Sequence, residues 1–256
     1  GQFAPGEAAV RALAAGADVL LMPPRPEEAI RAVLAAVKQG RLTANRIDRS
    51  VARVLAAKVR VELHRRRTVD PALHKKTLAS PEAERRALAA AEAALTLVKN
   101  EGRAFPPASP ARTAYLILAG RRGSTEGRQL AAEIAARAPQ ARVLALEPGL
   151  SETVLAQTVE DARQWDSIAV AAYSAAGLYP RLIEELTRSG KPVILASFAS
   201  PYLLRGFPET PSLVAAFSAA PAAETAFVRA IFGEIPVRGR LPVTIPGITA
   251  ALAAGP

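Results

Sequence analysis

Ala17-Asp18-Val19-Leu20-Leu21-Met22-Pro23-Pro24 is a short apolar run with an acid near its head and two prolines at its tail. A run of this length, unbroken by polar residues and stopped by proline, reads as a parallel-type strand buried on both faces. The sequence around it is helical in pattern. Gly6 to Gly16 forms an amphipathic stretch with Val10 and Leu13 apolar and a terminal glycine as its stop. Pro26 to Gln39 begins with proline, carries Glu27 and Glu28 in its first turn and has Gly40 beyond its end, which suits a helix dipole at both termini. Thr43 is placed to cap a third helix that runs to about Leu63. Ile47, Val51, Val54, Leu55 and Val61 are its apolar positions, and Arg46, Arg49, Arg53 and Arg60 recur at helical spacing on another face. A single strand cannot form a sheet. Residues 1–63 are therefore expected to be the end of a larger domain whose remaining strands lie upstream.

Residues 64–80 lose periodicity, carry many charges and contain Asp70-Pro71, as a linker does. Beyond them strands and helices alternate. Pro81–Ala94 reads as a helix and Leu95–Val98 as a strand. Further strands are expected at Ala114–Leu118, Arg142–Leu146, Ser167–Ala172, Pro192–Ser197 and Leu213–Phe217. Helices are expected at Thr125–Ala138, Glu152–Gln164, Tyr179–Ser189 and Ala222–Phe232. Such alternation packs helices on both faces of a mainly parallel sheet, so residues 81–256 are read as a complete α/β sandwich. Leu241-Pro242-Val243-Thr244-Ile245-Pro246 reads as an extended closing strand that its two prolines confine to an edge.

The composition is that of an ordinary globular chain: half the 256 residues are hydrophobic and 22% are charged. Without cysteine there is no disulfide framework, thiol nucleophile or cysteine zinc site. No apolar run reaches the roughly 18–20 residues that span a bilayer. The net charge of +10 is concentrated: Arg41 to Lys76 contains eleven basic and three acidic residues. That stretch has no Trp, Tyr or Phe to stack on bases, so it reads as a solvated face and not as a nucleic-acid surface.

Several segments, in this order and at this spacing, resemble glycoside hydrolase family 3. They are Gly6-Glu7-Ala8-Ala9-Val10-Arg11-Ala12 with Ala15 to Pro23, Arg46-Ile47-Asp48-Arg49-Ser50-Val51 through Lys58, Ala94-Leu95-Thr96-Leu97-Val98-Lys99-Asn100, Ser200-Pro201-Tyr202-Leu203-Leu204, Gly233-Glu234, and Gly239-Arg240-Leu241-Pro242-Val243-Thr244-Ile245-Pro246. Together they cover nearly the whole chain. Within the family the chain looks closest to the two-domain bacterial β-N-acetylhexosaminidases. The resemblance implies an α/β fold in which terminal βα elements of a (β/α)8 barrel precede an α/β sandwich with a mainly parallel sheet. Residues 1–63 would then be the C-terminal remnant of the catalytic barrel, 64–80 a linker and 81–256 the sandwich. It also implies a retaining glycosidase acting on terminal β-linked sugars, with β-N-acetylglucosaminides as the leading substrate and cell-wall recycling as the setting. The alternatives are a β-glucosidase-type member and a non-catalytic carbohydrate-binding or scaffold module. The family's nucleophilic Asp and its acid/base are expected upstream of Gly1, as is any export signal, and this chain alone is expected to be inactive. The implied partners are a carbohydrate substrate and the upstream barrel segment of the same parent, with no cofactor.

Met22 and Pro23 end the expected strand, where barrel enzymes place their chemistry, and are the candidates to line a sugar pocket. The competing reading is that Met22 fills the core and Pro23 only ends the strand. Asp18, at the strand's other end, is expected to be structural. His64 and His74 lie in the linker without further ligands at metal-binding spacing, so no metal site is expected. Gly120-Arg121-Arg122-Gly123-Ser124-Thr125 follows a strand and opens a helix, a place where backbone N–H groups hold anions. It lacks a full phosphate-binding pattern and reads first as a plain turn capped by Ser124 or Thr125. Ser197 and Ser200 read as turn formers, Trp165 and Tyr173 as packing residues. None of Glu101, Glu126, Glu147 or Glu209 carries a recognisable acid motif.

Overall fold

In the computed structural model the described residues are 3–71, 73, 78, 80–175 and 179–248. The chain divides into two compact units, Gly1–Thr77 and Leu78–Pro256.

The described residues of the first unit include the helices α1 (Pro5–Ala14), α2 (Pro26–Lys38) and α3 (Ala44–Arg60). Their local signals are the ones the sequence carries. Proline occupies the first turn of α1 and α2, where no N–H partner is lost. Thr43 caps α3 by accepting from the Arg46 N–H at 3.2 Å. Val10, Leu13, Ala36 and Leu42 form a small core, with Leu20, Val33 and Ile47 packed against it. The α1 and α2 backbones approach closely at Gly6, where a Cβ would lie 2.9 Å from that of Ala32.

The expected strand at Asp18–Met22 is not a strand. The segment bends at Asp18 and at Met22 and joins no β ladder among the described residues. A strand exists only through hydrogen bonds to a neighbour, and the described residues of this unit offer none.

The second unit is a six-stranded sheet with helices on both faces. Its elements are α4 (Pro81–Ala94), β1 (Thr96–Asn100), β2 (Thr113–Leu118), α5 (Arg128–Arg137), β3 (Arg142–Leu146), α6 (Glu152–Arg163), β4 (Ser167–Ala172), α7 (Pro180–Thr187), β5 (Val193–Ser197), β6 (Ser212–Ala215) and α8 (Pro221–Ile231). The strand order is β1-β6-β5-β4-β2-β3, all parallel except that β1 runs antiparallel to β6. Strand alternation sorts the core into two layers. Ala114, Leu116 and Leu118 join Val193 and Leu195 on the face covered by α6 and α7. Tyr115 and Ile117 join Ile194 and Ala196 on the face covered by α5 and α8.

The segment 241–246 forms no ladder either. Pro242 and Pro246 have no N–H to donate, and the segment is held by packing instead: Ile245 is fully buried in the core, with Leu241 and Ile248 against it. Just upstream, Gly239 donates its N–H to the Leu95 carbonyl at 3.0 Å, so close that a Cβ would sit 2.4 Å from that oxygen.

Candidate active-site segment and its neighbours

Asp18 is the anchor of the segment 18–22. Its Oδ1 accepts from Ser50 Oγ at 2.7 Å and from Arg53 Nη1 at 3.0 Å, with Arg46 Nη1 at 3.4 Å. Arg46 also donates to the Ser50 hydroxyl and, through Nη2, to the Ala17 carbonyl at 2.9 Å. Ser50, Arg46 and Arg53 share the flank of α3 because they stand four and three residues apart. Asp18 is thus held below the usual carboxylate range, first by the Ser50 hydrogen bond and then by the Arg53 guanidinium. This clasp fixes the head of the segment onto α3.

The tail projects. Val19, Leu21 and Met22 are 63%, 85% and 87% exposed. Met22 takes a positive φ of 49°, a left-handed conformation uncommon for a side chain of its size. Met22 therefore does not fill the core of this unit. Pro23 lines an apolar groove of about 680 Å3 together with Leu20, Ile30, Leu34, Val51 and Leu55. Ile30, Leu34, Val51 and Leu55 are themselves exposed, so the groove is an uncovered apolar face of α2 and α3.

The other acids of this unit are ion-paired or solvated. Glu7 accepts from Arg41 and Arg11 and is held below its ordinary pKa by them, Arg41 first. Glu28 pairs with Arg25. His64 is exposed in a turn, and His74 lies outside the described residues. Among the described residues no three His, Cys, Asp or Glu side chains gather to hold a metal ion, and no helix is long and apolar enough to cross a membrane.

In the second unit the remaining candidates are mostly structural. Ser197 Oγ donates to the Ser200 carbonyl at 3.0 Å and accepts from the Ala199 N–H, closing a turn. Trp165 packs against the core, and Tyr173 stacks on Phe198 with ring centroids 4.9 Å apart. Glu101 pairs with Lys99. In the turn at 120–125, Ser124 accepts from the Glu126 N–H, and α5 begins only at Arg128 behind Gly127 at a φ of 78°. Two N–H groups of this turn and one just beyond it meet carboxylates of the chain itself: Gly120 donates to Glu126, Gly123 to Glu147, and Gly127 to Glu224. Glu224 is the residue that sequence reasoning missed. Its one signal was an acid in the first turn of a mostly apolar helix.

The profile of the Glycosyl hydrolase family 3 N terminal domain matches residues 2–57, which hold the clasp, the segment 18–22 and most of the groove. Over that stretch the chain resembles glycoside hydrolase family 3. Among solved family 3 structures, a β-N-acetylglucosaminidase from Paenibacillus sp. str. FPU-7 is 28% identical over 97% of this chain, with a TM-score of 0.62. A fungal multi-domain family 3 β-N-acetylglucosaminidase covers 97% at 22% identity and a TM-score of 0.61. A β-glucosidase from Listeria innocua covers 95% at 20% identity and a TM-score of 0.58. The latter two likenesses are of fold. The chain spans 49%, 29% and 37% of those three proteins. Among curated proteins no relative matches.

Proposed function

We propose that this chain is the C-terminal portion of a retaining glycoside hydrolase that acts on terminal β-linked sugars, with β-N-acetylglucosaminides as its substrate. The observation that carries this reading is the clasped segment 18–22, which joins no ladder among the described residues and exposes Val19, Leu21 and Met22 beside an uncovered apolar groove. In a (β/α)8 barrel such a segment takes its place between neighbouring strands, and the helices beside it cover them. The family 3 match over residues 2–57 and the 28% identity to the Paenibacillus enzyme support the same reading. Residues 1–63 would close the barrel, 64–80 would link, and 81–256 would form the accessory sandwich. Met22 and Pro23, at the C-terminal end of the segment, would border the sugar pocket.

The nucleophile and the acid/base would come from polypeptide outside these residues. A retaining mechanism needs a carboxylate free to attack and a second group kept protonated near neutral pH. The acids of the first unit do not suit either task, because Asp18 and Glu7 are tied to arginines and held ionised. The purified chain is expected to give no turnover of an aryl β-N-acetylglucosaminide above the uncatalysed rate. Turnover at the rate of an intact hydrolase would refute the assignment of chemistry to other residues. The sugar itself is tested in the complete parent enzyme by comparing kcat/KM for aryl β-N-acetylglucosaminide and aryl β-glucoside. A preference for the glucoside would overturn the substrate assignment.

A further inference from the structure

The chain reverses its course across the sheet at β2. From β2 it passes through α5 to β3 on one side, and from β4 through α7 to β5 on the other. The crevice outside the carboxyl ends of β2 and β4 is therefore the place where open α/β sheets hold ligands, at the N-terminus of the helix that follows β2. Here that place is filled from within. Glu224, in the first turn of α8 and 3% exposed, accepts from the Gly127 N–H at 2.9 Å and the Leu130 N–H at 2.7 Å, both at the start of α5. Glu126 accepts from the Gly120 N–H at 2.7 Å, and Glu147 from the Gly123 N–H at 2.9 Å. Gly120 and Ser174 meet across the crevice so tightly that a Cβ at position 120 would lie 2.7 Å from the serine hydroxyl.

A second feature marks the spot. Tyr173, the residue after β4, is buried and its hydroxyl is the one buried side-chain polar atom among the described residues without a hydrogen-bond partner. The charges acting on that hydroxyl are the carboxylates of Glu224 and Glu126, and burial together with Glu224 pushes its pKa upward. A hydroxyl beside a buried carboxylate is a donor aimed at an anion.

We infer that the crevice at the head of α5 is an oxyanion site of carboxylate size that the chain occupies with its own Glu224, so that the sandwich is locked instead of open to a phosphate-bearing ligand. The occupant is covalently part of α8, so filling the site also ties α8 to α5 across the sheet face. Removing the side chain would leave the Gly127 and Leu130 N–H groups, with the Tyr173 hydroxyl nearby, around a space that a free monocarboxylate fits. This rests on the geometry of the second unit and is independent of the proposed glycosidase.

The test is chemical rescue in the purified full chain, using Glu224→Ala, Glu224→Gln and the unaltered protein. Thermal midpoints are read with sodium formate at tens of millimolar and with sodium chloride at equal ionic strength. Glu224→Ala is expected to melt lower and to regain several degrees in formate but not in chloride, as a ligand that binds only the folded state does. The unaltered protein and Glu224→Gln, whose side chains still fill the space, are expected to ignore formate. A formate effect of equal size in all three proteins would reduce the result to bulk salt and overturn the inference. So would a Glu224→Ala protein that is folded and unresponsive, or unfolded and not restored by formate.

Discussion

At the scale of single residues, the Asp18–Ser50 contact has the sharpest consequence. Asp18 has a lowered pKa in the folded chain, so its contribution to stability is complete above the ordinary carboxylate value of about 3.9 and is lost as pH falls through the depressed one. Ser50→Ala removes the largest cause of that depression. The Asp18 titration, followed by carboxyl carbon NMR, is expected to move up towards the ordinary value, and the first unit is expected to unfold in acid at a higher pH than before. An Asp18 titration that stays where it was would mean that the arginines alone set it. The sequence reads Asp18 as structural. What it could not show was the partner, because Ser50 lies 32 residues away and reaches Asp18 only once α3 has packed. Glu224 was illegible for the same reason: its partners are 94 and 97 residues distant.

At the scale of elements, signals local to a helix were readable and those shared between strands were not always so. The caps, first-turn prolines and terminal glycines of α1, α2, α4 and α6 put their ends within about two residues of where they lie. The head of α5 begins three residues late, because the 120–127 turn spends its N–H groups on side chains before the helix starts. The two segments read as strands that form none, 18–22 and 241–246, have strand-like composition but no partner to complete the ladder. Composition reports how well a segment suits a sheet, whereas pairing is a property of two segments. Thr43→Ala deletes the one side-chain cap of α3, and is expected to lower the stability of the first unit by about 1 kcal/mol, measured by denaturant unfolding. Because the cap is local, the helix should fray at its N-terminus without any change in the second unit.

At the scale of the whole molecule, the two units differ in how far each closes its own core. The second buries both faces of its sheet, with Val193, Ile194 and Leu195 fully buried in the middle strand. Produced alone, residues 78–256 are expected to fold and to unfold in one cooperative transition, and Leu195→Ala in it should cost about 2–5 kcal/mol. A non-cooperative melt would show that the sandwich depends on the first unit. The first unit carries most of the basic excess and leaves a line of large apolar side chains in water. That contrast was visible in the sequence as an alternating half and a half with one strand-like run that had no strand beside it to pair with.

Segment 18–22 has one more consequence. A stretch of backbone that is apolar on its outward side and has no β neighbour among the described residues is the kind of adhesive surface that sheet proteins ordinarily cover or charge. Copies of this chain held at high concentration should therefore stick to one another through it, seen as a sedimentation coefficient that climbs with loading. Leu21→Lys should abolish that climb, because a cation planted on the rim makes stacking unfavourable without touching the clasp behind it.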